Sequence, residues 1–170
     1  MIKHKRIFIV GHMGAGKALV GKTLTDKLGW QFMDADFGLE HRMGRPSNEI
    51  LGEQGEESFR QCEAEILSQL LVKTNIVVIT DGGVISTDQN RKLLSSEYVV
   101  YLKVSTPIQI ERMAKSPFTL LPQTEFKALI DRLHRERDSL YEEVTKLTID
   151  TDATSDVEND VNKIIKALEV

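Results

Sequence analysis

Seven residues carry the densest chemistry in this chain: Gly11-His12-Met13-Gly14-Ala15-Gly16-Lys17, directly after the apolar run Ile7-Phe8-Ile9-Val10. A strand that feeds a G-x-x-x-x-G-K loop and then a helix is a phosphate-binding arrangement. The glycines let successive backbone N–H groups turn inward as a nest for anionic oxygens. The helix that starts near Lys17 adds its partial positive end, and the lysine reaches the outer phosphates as a mobile point charge. Leu19, Val20, Leu24 and Leu28 follow at helical spacing. Such a loop normally closes on Ser or Thr, whose hydroxyl ligates Mg²⁺. Here position 18 is Ala.

Other groups could complete a site. Asp34 and Asp36 stand two residues apart at a strand end, so both carboxylates point to one side of the pleat. One can hold Mg²⁺ through water while the other engages a substrate hydroxyl; capping of a helix over 37–43 is the bland alternative. In Thr80-Asp81-Gly82-Gly83 the paired glycines allow close approach of an anion or form a plain turn. Arg60 and Arg137 are candidates for gripping a carboxylate, although an isolated Arg is more often a surface charge. His12 is expected to face solvent. His4, His41 and His134 show no metal-ligand spacing, so no metal beyond nucleotide-bound Mg²⁺ is expected. Cys62, the single cysteine, excludes an internal disulfide and reads as a packed thiol beside Phe59, Ile66 and Leu70.

The elements that must position these groups alternate. Strand signals fall at 7–10, 31–33, 76–79, 98–104 and, weakly, 147–149. The runs Ile-Val-Val-Ile and Tyr-Val-Val-Tyr-Leu are nearly continuous apolar stretches, as in strands buried on both faces. Helical patterns fill the gaps, including 56–72 and a C-terminal face of Val157, Val161, Ile164, Ile165 and Leu168. The pattern predicts an α/β fold built on a parallel sheet with right-handed crossovers. Ligands then bind outside the carboxyl ends of the strands, where the residues above fall. With 170 residues, 41% hydrophobic and 28% charged, the chain reads as one soluble domain over 1–170. A net charge of −4 leaves no general nucleic-acid footprint. No apolar stretch is long enough to span a membrane, and Met1-Ile2-Lys3-His4-Lys5-Arg6 is no signal peptide. The expectation is a cytoplasmic monomer acting on a small molecule, without nucleic-acid or membrane partners.

Taken together, the residues resemble the shikimate kinase family over nearly the whole chain. The resemblance rests on the phosphate loop, Phe32-x-Asp34-x-Asp36-x-x-Leu39-Glu40, Gly55-Glu56-x-x-Phe59-Arg60-x-x-Glu63, Gly82-Gly83, Asn90-Arg91, Val99-Val100-Tyr101-Leu102 and Arg137-x-x-Leu140-Tyr141-Glu142-Glu143-Val144. It implies a three-layer α/β/α fold with a five-stranded parallel sheet, similar to nucleoside monophosphate kinases. It also implies transfer of the ATP γ-phosphoryl to the 3-hydroxyl of shikimate in aromatic amino-acid biosynthesis. By position, Gly11, Gly14, Ala15, Gly16, Lys17 and the residue at 18 would bind the nucleotide phosphates, and Arg112 would lie against adenine. Asp34 would order Mg²⁺ through water. Asp36 would hold the shikimate hydroxyls and orient or accept the reacting proton. Arg60 and Arg137 would clamp the shikimate carboxylate beside Gly82 and Gly83.

Three positions depart from that family's pattern. Ala18 lacks the metal-binding hydroxyl, and Asp81 replaces a glycine beside the acceptor. Phe118 stands where a lid arginine would cover the phosphates, in a short lid over about 114–124. The sequence therefore implies a shikimate kinase-like enzyme using ATP and Mg²⁺. One alternative is a catalytically impaired relative that binds nucleotide or a shikimate-like acid in a regulatory or interaction role. A weaker one is a kinase for another small hydroxylated metabolite.

Overall fold

The computed structural model describes residues 2–38, 40, 45, 47–114, 123–152 and 156–170. The expected lid, with Phe118, falls almost entirely outside them. Five strands, β1 (Arg6–Val10), β2 (Gln31–Ala35), β3 (Ile76–Thr80), β4 (Tyr98–Lys103) and β5 (Leu147–Asp150), form one parallel sheet in the order β2-β3-β1-β4-β5. Between and after them run α1 (Lys17–Leu28), α2 (Ser47–Leu70), α3 (Asp88–Ser95), α4 (Thr106–Ala114), α5 (Gln123–Val144) and α6 (Val157–Leu168).

Alternation along the central strands feeds two cores. Ile7, Ile9, Val77, Ile79, Val100 and Leu102 face α1 and α6, where Val20, Leu24, Val161, Ile164 and Leu168 complete the layer. Phe8, Val10, Val78, Val99 and Tyr101 face the other way, onto Leu67 and Leu70 of α2, Leu94 of α3, and Tyr141 and Val144 of α5. Because β1, β3 and β4 are covered on both sides, they carry no polar face. The expected α/β/α sandwich is therefore present.

Several local expectations change. Leu19 does not join the apolar stripe of α1: it is 58% exposed, next to the phosphate loop. Cys62 is exposed rather than packed, because α2 turns Arg60, Glu63 and Ala64 inward at that level. The helix expected over 37–43 does not begin at Phe37. Instead the Asp36 carboxylate accepts the Gly38 N–H at 2.9 Å in a turn, while Leu39 and 41–44 lie outside the described residues. α2 starts nine residues ahead of the expected position and is interrupted at Gly52, whose φ of 72° no regular helix contains.

Candidate active site

The site collects at the carboxyl ends of β1, β2 and β3. Gly11 leaves β1 with φ 149°, and a Cβ there would sit 2.6 Å from the Leu102 carbonyl of β4, so glycine alone lets the loop cross the sheet edge. The loop ends at Gly16, which caps α1 in a left-handed conformation without a side-chain hydrogen bond, and the first turn of α1 carries no acid. The N–H groups there stay uncommitted to side chains, which suits a phosphate. Lys17 folds back and donates to the carbonyls of Gly11 at 2.7 Å and His12 at 3.2 Å. Burial lowers its ammonium from the ordinary lysine value, opposed chiefly by the nearby charges of Asp36 and Asp81.

A cleft of about 430 Å³ opens over the loop, lined by Lys17, Ala18, Asp34, Asp36, Asp81 and Arg137 among others. Asp34 and Asp36 do share one side, as their spacing predicts: the Asp34 carboxylate accepts the Asp36 N–H at 2.9 Å, and Asp34 is exposed to the cleft. This fits a hard divalent cation held through water, since two carboxylates face the loop while Ala18 contributes no oxygen. Arg112, on α4, donates to the Gly14 carbonyl at 3.3 Å and to the Thr151 carbonyl at 2.8 Å, so it ties the loop to the segment after β5.

Arg60 and Arg137 are both buried and engaged. Arg137 of α5 donates to Glu40 at 2.9 Å. Burial would push Glu40 up, but Arg137 outweighs it and holds the carboxyl below its ordinary value. Arg60 of α2 donates to Glu63 at 3.0 Å, to the Ser47 hydroxyl at 3.0 Å and to Glu56 at 3.4 Å. A Cβ at Gly83 would lie 2.2 Å from Arg60 Nη2, so a larger residue there would displace that guanidinium. Gly82 lies near both Arg137 and Tyr141, whose hydroxyl donates to the Gly82 carbonyl at 2.5 Å.

The sequence reading missed a set of supporting groups. His12 is not solvent-facing: it is 1% exposed, and its Nε2 meets the Asp138 carboxylate at 2.5 Å. Burial lowers its imidazole to about 4 despite that carboxylate. His134 reaches the other Asp138 oxygen at 3.0 Å and stacks on His12 with centroids 3.9 Å apart. Spacing gave no hint of this trio, which brings three potential metal-ligand atoms within 4.8 Å of one another. Gln109 closes the network, with its oxygen on His134 at 2.7 Å and its amide donating to the Met13 carbonyl at 2.8 Å. Glu40 and Glu63 were visible as residues of their motifs, but their partners were not.

A parallel sheet in this order, with a glycine loop and lysine after β1 and paired acids at the carboxyl end of β2, defines a P-loop kinase of the nucleoside-monophosphate-kinase type. A family model described as shikimate kinase matches residues 13–169. The shikimate kinase of Legionella pneumophila (strain Corby) is 38% identical over 170 residues, covering 99% of this chain and 97% of that one. The solved shikimate kinase from Acinetobacter baumannii, in complex with shikimate, superposes with a TM-score of 0.79 at 32% identity, covering 98% of this chain and 94% of that one. That of Bacteroides thetaiotaomicron gives 0.82 at 26% identity, covering 98% and 99%. The chain belongs to the shikimate kinase family.

Proposed function

We propose that this protein transfers the γ-phosphoryl group of ATP to the 3-hydroxyl of shikimate. The observation that carries this reading is the cleft itself. Lys17 and the loop, Asp34, Asp36 and Arg137 all line this one cleft. Lys17 leaves its two carbonyl partners to meet the β- and γ-phosphates. Asp34 would hold Mg²⁺ through water, and that ion would neutralise phosphate charge. Asp36 orients the acceptor hydroxyl and takes its proton as the new O–P bond forms, while the bond between the γ-phosphorus and the β,γ-bridging oxygen breaks and ADP leaves. Arg137 in the cleft, with Arg60 behind Asp81, provides the positive charge that a carboxylate acceptor requires. Arg112 borders the adenine side. The protein works as a single domain on small molecules.

The second reading, a relative that binds without transferring, draws support from the missing hydroxyl at Ala18. Shikimate-dependent ADP release with saturating Mg²⁺-ATP separates the two. Release that requires shikimate and is lost in Lys17→Ala establishes the kinase. Release no greater than the ATP-only background, with shikimate still bound, establishes the non-catalytic relative.

A further inference from the structure

The acceptor end of the cleft already contains a carboxylate. Asp81, 5% exposed, follows β3 and lines the cleft, whereas Arg60 does not. Arg60 opens instead onto a separate hollow with Glu53, Glu56 and Glu57. The Asp81 side chain is fixed from two directions: one oxygen accepts the Gly83 N–H at 3.0 Å, and the other lies 3.6 Å from Arg60 Nη1. Arg60 is itself held on every nitrogen: Nε donates to Glu56, Nη1 to Glu63 and Nη2 to Ser47.

The charge count around Arg60 is lopsided. Glu56, Glu63 and Asp81 all lie within salt-bridge distance of this single guanidinium. The surplus registers on Glu63: burial and the neighbouring Asp81 charge, set against Arg60, bring its carboxyl up to about 7. A further carboxylate from an acceptor would therefore meet an arginine whose charge is already more than matched. By contrast, among the described residues Arg137 makes a single salt bridge, to Glu40, with the Asp81 charge a smaller influence, and it lines the cleft directly.

We propose that Asp81 determines acceptor specificity: its carboxylate takes the place at Arg60 that an acceptor carboxylate would take, leaving Arg137 as the arginine that meets the acceptor. This rests on the carboxylate-acceptor reading given above. The consequence is a site that favours an anionic acceptor over a neutral analogue less strongly than its two arginines would allow. A charge that occupies a binding partner acts as a built-in competitor, and specificity is set by such repulsive elements as much as by attractive ones.

The test is calorimetric binding of shikimate and of its neutral carboxamide to the wild-type protein, Asp81→Asn and Asp81→Gly, each in the presence of ADP. Asn keeps an acceptor for the Gly83 N–H, and circular dichroism reports that both variants fold. Both variants are expected to bind shikimate about tenfold more tightly or better, with the carboxamide changed less than about twofold. Equal tightening of both ligands, or no tightening of either, overturns the inference while leaving the acceptor reading intact. If all three proteins bind ADP but none binds shikimate, the acceptor reading and this inference fall together.

Discussion

Ala18 occupies the position where one oxygen atom changes the chemistry most. It sits in the first turn of α1, exposed and lining the cleft beside Lys17. The fold there needs nothing from a hydroxyl, since α1 starts at Gly16 with no side-chain cap hydrogen bond. Ala18→Ser is therefore expected to leave stability unchanged within about 0.5 kcal/mol. It should raise kcat by about tenfold or more and lower the Mg²⁺ concentration needed for half-maximal rate, because a fixed oxygen replaces a mobile water on the cation. The check is ADP release against Mg²⁺ concentration at saturating shikimate. An unchanged Mg²⁺ dependence would mean that Asp34 and water already hold the ion as well as a hydroxyl could.

At the scale of elements, the site depends on how closely α1 approaches the sheet. Gly21 makes that approach: a Cβ there would lie 2.7 Å from Ile79 Cγ2 on β3 and 3.0 Å from Phe32 on β2. Gly21→Ala gains up to about 1 kcal/mol of helix propensity. It then loses about 1–3 kcal/mol to overpacking as α1 lifts, carrying Lys17 with it. The expected result is a lower denaturation midpoint and weaker ADP binding together; a stabilised variant with normal ADP binding would show that the layer yields without moving the lysine. The same closeness decided what could be read from the sequence. β1, β3 and β4 were legible because burial on both faces leaves an apolar run, whereas β2 and β5 lie at the sheet edges with mixed burial and gave shorter signals. Lys17 and the loop were legible because a phosphate nest is local backbone geometry. The pairing of Glu40 was not, since its partner Arg137 is 97 residues away, and His12 was misread because Asp138, 126 residues on, removes it from solvent. The start of α2 was hidden by Gly52, whose φ of 72° breaks the helical pattern.

Across the whole molecule, buried charge makes stability depend on pH, with contributions of opposite sign. His12 is held at about 4 in the fold, below its ordinary 6.5, so its share of stability is complete above 6.5 and is lost as pH falls from there toward 4. Glu63 is held at about 7, above its ordinary 4.5, so its share is complete below 4.5 and is lost as pH rises toward 7. Asp81, raised by burial against the pull of Arg60, acts in the same sense as Glu63. Asp138 acts in the opposite sense to Glu63: burial pushes it up, but hydrogen bonds from His12 and His134 hold it well below the ordinary value, so its loss comes in stronger acid. As pH rises through neutrality, ionising Glu63 beside Asp81 therefore costs the fold stability. Glu63→Gln isolates that cost, because Gln resembles the protonated acid and still offers an oxygen to Arg60 and Asn90, the two donors to Glu63. Urea denaturation of both proteins between pH 4.5 and 7.5 should show the variant gaining on the wild type as pH rises, by up to about 3 kcal/mol at about 1.4 kcal/mol per pH unit. A difference that stays constant across this range would mean that Glu63 titrates at its ordinary value, and that Arg60 neutralises the surrounding carboxylates more fully than one guanidinium among three acids should.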